Sequence, residues 1–303
     1  MSGASRLHEH ATLVALLRLR PHRMSWVQLA EAVLEHGSAE AAWTALLGGQ
    51  LFPDEAAEHA RDQARTDLQS WHDDGMAFWA INDAEYPARV RDIHQSPPFL
   101  FSRGTRLDGD VAVSVVGSRA ASERGLEMAQ SVAKALSAQG VTIIAGLAAG
   151  IDTAAHETAL QHGGRTVAVI GTGLGQTYPA ANRALQERIA RDGLVISQFW
   201  PEAPPRQQNF PMRNAVMSGY GHATVVIEAG ETSGARIQAR LAVEHGRPVI
   251  LSDLVVTSTQ WGRALLDRPN VYVARSTQDV TDMVGELVQR AESLTARLDA
   301  ISV

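Results

Sequence analysis

Four short segments concentrate glycine and hydroxyl side chains at the ends of apolar runs. They are Gly117-Ser118-Arg119, Gly146-Leu147-Ala148-Ala149-Gly150, Gly171-Thr172-Gly173-Leu174-Gly175 and Glu228-Ala229-Gly230-Glu231-Thr232-Ser233-Gly234. Glycine lets a backbone approach a ligand closely, and a helix that starts just after such a loop offers free N–H groups and a partial positive charge. The chemistry this favours is anion binding, with phosphate the usual guest. Arg119 follows the first run, and Arg213 lies in Phe210-Pro211-Met212-Arg213-Asn214, immediately before a predicted helix. A guanidinium makes bidentate contacts to phosphate that an ammonium cannot. Taken singly, each loop also fits ordinary turn chemistry. There is no Walker A lysine, and Gly171–Gly175 lacks the third glycine of the dinucleotide fingerprint.

Other residues bear on catalysis. Asp152 and His156, four apart, share a helix face; a first-turn aspartate fits helix capping better than acid–base work. Glu228 and Glu231 are the candidate acids of a hydrolase. His8-Glu9-His10 is expected at a mobile terminus and inert toward metal. Phe199, Trp200 and Phe210 flank the Arg213 segment and fit either base stacking or core packing. The chain has no cysteine, which excludes disulfides, thiolate catalysis and cysteine-ligated metals and fits a reducing cytoplasm. No metal or cofactor is expected, and no catalytic residue is assigned. A net charge of −6 argues against non-specific coating of nucleic acid but permits a local basic groove. No apolar run approaches the roughly 18 residues of a membrane span, and Ala11–Leu17 lacks the cleavage site of a signal peptide.

The elements that would position these residues read as α/β. Continuous apolar runs at Val111–Val116, Val141–Ala145, Thr166–Ile170, Leu194–Ser197, Ala223–Ile227 and Pro248–Leu251 predict strands buried on both faces. They alternate with predicted helices at Glu123–Ser137, Ile151–Gln161, Ala181–Arg191, Arg213–Gly219 and Ser233–His245. A last strand, Val271–Val273, precedes a helix from about Thr277 to Leu298. The alternation predicts a mostly parallel, Rossmann-like sheet with helices on both faces, whose ligands gather at the carboxyl ends of the strands. Ahead of it, residues 1–75 read as a small all-helical module. Ser25-Trp26-Val27-Gln28 forms a capping box there, with Met24 and Leu29 as its staple, and Asp54 is a candidate cap for a helix reaching Trp71. A short strand at Met76–Ile81 is followed by a linker marked by Tyr86-Pro87 and Pro97-Pro98. The Rossmann-like domain is expected over 76–275 and a C-terminal helix over 276–303.

Several of these segments resemble the DprA/Smf (DNA-processing protein A) family. They are Tyr86-Pro87, Pro97-Pro98-Phe99-Leu100-Phe101 with Gly104, Val115-Val116-Gly117-Ser118-Arg119 and, most specifically, Gly146-Leu147-Ala148-Ala149-Gly150-Ile151-Asp152-Thr153-Ala154-Ala155-His156. Gly163–Val169, Tyr178-Pro179, Phe210–Asn214, Glu228-Ala229 and Ser233-Gly234 follow in the same order. The resemblance implies an extended Rossmann fold and single-stranded DNA held on the glycine-rich edge. It also implies a cytoplasmic, non-enzymatic homodimer that delivers the DNA to the RecA recombinase during natural transformation. Carried residue by residue, Gly117, Ser118 and Arg119 would hold a phosphate. Gly146, Gly150 and Asp152 would form the second loop, and Arg213 and Asn214 would complete the pocket; from the glycine-rich loops themselves, Gly171, Gly173, Ser233 and Gly234 are further candidates for phosphate binding. This chain departs from the family pattern at Gln198, Ala215, Arg236, Gln238 and Ser252-Asp253, and a single helix stands where a winged-helix domain is common. The alternative reading is a nucleotide-binding sensor or N-glycosidic nucleotide hydrolase related to the LOG family, whose Pro-Gly-Gly-x-Gly-Thr signature is absent.

Overall fold

The apolar runs form strands with no solvent-facing side. A computed structural model describes residues 3–47 and 54–301, and within it nine strands make one sheet. They are β1 (Ala77–Ala80), β2 (Phe99–Gly104), β3 (Ala112–Val116), β4 (Thr142–Ala145), β5 (Thr166–Val169), β6 (Leu194–Ser197), β7 (Ala223–Val226), β8 (Val249–Ser252) and β9 (Val271–Ala274). The spatial order is β1-β2-β6-β5-β4-β3-β7-β8-β9. Strands from β6 to β9 pair in parallel, while β1 and β2 add an antiparallel edge. Every residue of β3 through β8 is buried. Alternate residues serve opposite faces: Val113 and Val115 join a core with Val132, Leu136 and Ile151, whereas Ala112 and Val116 join one with Val216 and Ala239.

Chain order explains where a ligand fits. From central β3 the chain steps outward through β4, β5 and β6, then returns by the Asn209–Tyr220 helix to β7 on the other side of β3. The loops after β3 and β7 leave neighbouring strand ends, paired at Val116 and Val226, in opposite directions. This is the switch point at which open parallel sheets bind ligands.

Two expectations are corrected. The proline-marked segment is no mere linker: Phe99–Gly104 is β2, inserted between β1 and β6. Tyr86 anchors its start by donating from its hydroxyl to the Pro97 carbonyl at 2.7 Å. The His8–His10 segment is not a loose terminus either. It lies in the Gly3–Leu19 helix, where His8 Nε2 stands 3.0 Å from Glu40 and the buried His10 2.8 Å from Asp83. That helix buries His10 through Leu17 without interruption, so its pattern is apolar all round rather than amphipathic.

The remaining N-terminal helices match the pattern read for them. Ser25 and Gln28 form both halves of the capping box on the Trp26–His36 helix. A further helix begins at Asp54, whose side chain lies outside the described residues, and ends at Asp73. Among the described residues no helix is long and apolar enough to cross a membrane.

The helical segment is welded to the sheet by aromatic rings. Trp200, just beyond β6, has its ring 4.7 Å from that of Phe99, 5.7 Å from Trp26 and 5.9 Å from Trp71. The stacking role considered for Trp200 is thus exercised on the protein's own rings. Trp200→Ala is expected to cost about 3 kcal/mol, read as a lower urea midpoint with weakened near-ultraviolet circular dichroism.

Candidate functional site

The β3 and β4 loops are locked against each other through backbone groups. Ser118 N–H donates to the Glu228 carbonyl at 2.7 Å, and Ile151 N–H donates to the Ser118 carbonyl at 3.2 Å. Gly150 sits at φ +77°, and a Cβ there would run into the Ser118 carbonyl, so both the backbone conformation and the close approach require glycine. Leu147 holds φ +58° while fully buried, and its carbonyl accepts from Asn182 Nδ2 at 2.9 Å.

Asp152 gathers the amides of this corner. Its carboxylate accepts from Gly146 N–H at 2.9 Å, from Ala148 N–H at 3.4 Å and from the Gly117 amide. It stands one residue inside the Ile151–Gln161 helix, whose N-cap is Gly150 with no side-chain cap. The capping role expected for Asp152 is therefore corrected: it ties down the loops in front of the helix. Burial raises its carboxyl above the usual range, opposed by the charge of Arg213 and by the amides.

Arg213 is the partner charge, and it too departs from expectation. The Asn209–Tyr220 helix begins four residues earlier than predicted, because Pro211 fits within the first turn, where its missing N–H is no loss. Arg213 is consequently a helical residue only 5% exposed. Its Nη1 donates to the Val169 carbonyl at 2.7 Å, and its guanidinium fills the space a side chain at Gly146 would need. Burial lowers it to about 10, against the stabilising charge of Asp152.

Above this floor lies a cleft of about 800 Å³ at the switch point. Gly117, Ser118, Arg119, Asp152, Arg213, Asn214, Ser233 and Gly234 all line it, so the structure brings these eight predicted residues together. Gly146 and Gly150 lie beneath, in contact with Arg213 and Ser118. Gly171 and Gly173 do not belong to it. A Cβ at Gly171 would meet the Phe210 ring and one at Gly173 the Trp200 and Pro201 carbonyls, so both are packing glycines. Arg119 is exposed at the mouth, and among the described residues no carboxylate lies within ion-pair reach of it. Its guanidinium carbon stands 5.4 Å from the centre of the Phe210 ring, which in turn lies 5.5 Å from the exposed Tyr178. The N-terminus of the Gly234–Glu244 helix opens on the far wall, with Ser233 Oγ accepting from Ala235 N–H at 3.2 Å.

Sequence reading left Tyr178 and the base-edge side of the cleft without a role; Phe210 was flagged, and its spacing of three from Arg213 was the available signal. The supposed acids point elsewhere. Both carboxylate oxygens of Glu228 accept from Ser122 at the start of the Glu123–Ala138 helix, and Glu231 accepts from the Gln260 amide. Each serves a helix N-terminus and neither lines the cleft. His156 is fully buried with Nδ1 2.6 Å from Thr166 Oγ1, and burial lowers it to about 3. Among the described residues no group of three or more His, Asp or Glu side chains is placed to hold a metal.

The sequence model for DNA recombination-mediator protein A matches residues 77–285. The chain belongs to this DprA/Smf family. It is 36% identical over 230 residues to Protein Smf of Synechocystis, covering 74% of this chain and 54% of that protein. It is 43% identical over 172 residues to DNA processing protein DprA of Streptococcus pneumoniae, covering 56% of this chain and 61% of the relative. The chain thus spans between half and two thirds of these curated DprA relatives. The X-ray structure of the pneumococcal DprA superposes with a TM-score of 0.65 at 29% identity, covering 92% of this chain and 96% of that one. The Helicobacter pylori DprA, described for its single-stranded DNA binding mode, shares the fold with a TM-score of 0.62 at 22% identity, covering 71% and 96%.

Two outcomes follow from the geometry. Gly146→Ala forces Arg213 off its seat and should cost about 3 kcal/mol in chemical denaturation, whereas Gly230→Ala, with open space around it, should be close to neutral. His156 ordinarily titrates at 6.5 and is held near 3 when folded. Its neutral form therefore favours the fold above pH 6.5, and that contribution is lost as pH falls toward 3. His156→Gln should flatten the acid limb of stability against pH by about 1.4 kcal/mol per unit between pH 6 and 4. His222 and His245, both lowered to about 4, would sustain the remaining slope.

Proposed function

We propose that this protein binds single-stranded DNA in the switch-point cleft without altering it chemically. The observation that carries the reading is Arg119: an exposed guanidinium, with no carboxylate among the described residues in ion-pair reach, beside an aromatic ring and above a floor of clamped loops. Phosphate would sit between Arg119, the Ser118 hydroxyl and the helix N-terminus at Gly234. Phe210 and Tyr178 would offer faces to bases, which tolerates any sequence. Arg213 and Asp152 would act from below by fixing the loops, and Asn214, Gly146 and Gly150 complete that frame. An overall negative chain can do this because the local field decides.

Family membership and the DNA-binding mode described for the Helicobacter pylori relative support this reading. The same reading extends to a cytoplasmic homodimer that hands its DNA to the RecA recombinase. The hydrolase alternative has lost its acids, since Glu228 and Glu231 are bound at helix N-termini.

The test is a fluorescence-anisotropy titration of labelled single strands over a range of salt. Log affinity should fall with log salt by about 0.7 per phosphate neutralised. Arg119→Ala should reduce that slope by roughly 0.7 with the melting temperature unchanged. Arg213→Ala should instead lower stability by about 3 kcal/mol, because it strands a buried carboxylate. An Arg119→Ala variant that binds with the parent's slope would remove the cleft from consideration.

A further inference from the structure

The inner wall of the cleft carries a group that the phosphate contacts do not use. Gln238, on the Gly234–Glu244 helix, lines the cleft and is 1% exposed. Its Nε2 makes one long contact, 3.5 Å to Thr224 Oγ1, and its Oε1 has no partner. Exchanging the two ends of the amide moves the problem without solving it, since Thr224 has one hydroxyl to offer and one amide atom stays unpaired in either orientation. A buried polar atom without a partner is costly, and such atoms gather where a ligand completes the bonding.

Its surroundings define what would complete it. Asn214, on the facing Asn209–Tyr220 helix, lines the same wall and holds the Gly234 carbonyl at 3.4 Å. Val116, Met217 and Ile237 supply the apolar lining between them. Apolar walls with two carboxamides suit a flat ring that has hydrogen-bonding atoms along one edge. Phosphate is matched elsewhere in the cleft, by Arg119 at the mouth and by Arg213, whose Nη1 is held by the Val169 carbonyl. An unstacked nucleobase has the required form: an apolar face and an edge of donors and acceptors that carboxamides match.

We propose that Gln238, with Asn214 facing it, reads the hydrogen-bonding edge of one base of the bound strand, so that this protein discriminates among bases at a single position. The inference rests on the cleft being the single-strand site. Arg119 and the loops then supply sequence-blind attraction, and Gln238 supplies the preference.

The experiment compares dT, dC and dA homopolymers of equal length, and an abasic strand with the same number of phosphates, on the parent and on Gln238→Met. The parent should bind at least one homopolymer better than the others and better than the abasic strand. Gln238→Met, which keeps the volume and removes the unpaired atom, should narrow the spread between best and worst by about threefold to tenfold, the worth of one hydrogen bond. It should melt no lower than the parent, which separates loss of reading from loss of fold. Gln238→Asn, a shorter carboxamide, should also narrow the spread. Equal affinity of the parent for all strands, or an unchanged spread in Gln238→Met, overturns the base-reading role while salt-dependent, Arg119-dependent binding survives. Binding insensitive to both salt and Arg119→Ala would instead sink the underlying site.

Discussion

The binding edge depends on one buried charge pair. Arg213 and Asp152 come from different helices and are close enough beside the loops after β3 and β4 for each charge to favour the other. Each would be prohibitively costly alone in this interior, so each fixes the other. The carboxylate also collects the amides of Gly146, Ala148 and Gly117, while the guanidinium also holds the end of β5. Four segments distant in sequence therefore share one electrostatic knot. The knot explains the glycine at 146, because the guanidinium occupies the volume of any side chain there. It also explains why Arg213, though it lines the cleft, contributes rigidity more than free charge.

A rigid floor of this kind changes what the remaining groups must do. Loops held in place before a ligand arrives need no reorganisation on binding, so few charged side chains are required. Arg119 is the free guanidinium at the mouth, and the nearby aromatic rings can be shared by any base. The acidic side chains of the neighbourhood are meanwhile engaged: Asp152 by the amides at the cleft floor, Glu228 and Glu231 at helix N-termini. N–H groups occupy each of these carboxyl groups, which tempers their repulsion of an anion in a chain of net charge −6.

The parallel sheet was legible because β3 to β8 are buried on both faces and read as unbroken apolar runs. The Ile151–Gln161 helix was legible to the residue, since Gly150 and the apolar spacing mark its limits. What escaped has physical reasons. Pro97-Pro98 looks like punctuation, yet prolines just ahead of a strand leave its ladder intact, so β2 was read as linker. Pro211 looks like a barrier before a helix, yet it occupies the first turn, and this shift moves Arg213 from the first position of the helix into its buried interior. Glycine runs at strand ends have two causes that composition does not separate. At 234 the glycine faces open space, whereas at 117 it makes room for Ile151 and the Glu228 carbonyl, and at 171 and 173 for Phe210, Trp200 and Pro201.

The contrast between the two walls of the cleft suggests how affinity and selectivity are divided. On the Arg119 side the contacts would be charge and helix dipole, which act on every nucleotide alike and weaken with salt. On the Gln238 side they are neutral amides in an apolar setting, where salt has little to screen and a mismatch leaves an atom unpaired. Long-range attraction can therefore load the strand before any base is inspected. An amide at 1% exposure can discriminate only after the base has displaced whatever fills the inner wall, so selectivity belongs to the late, short-range stage of binding. A protein arranged this way would capture any single strand and settle its register by the one base that fits.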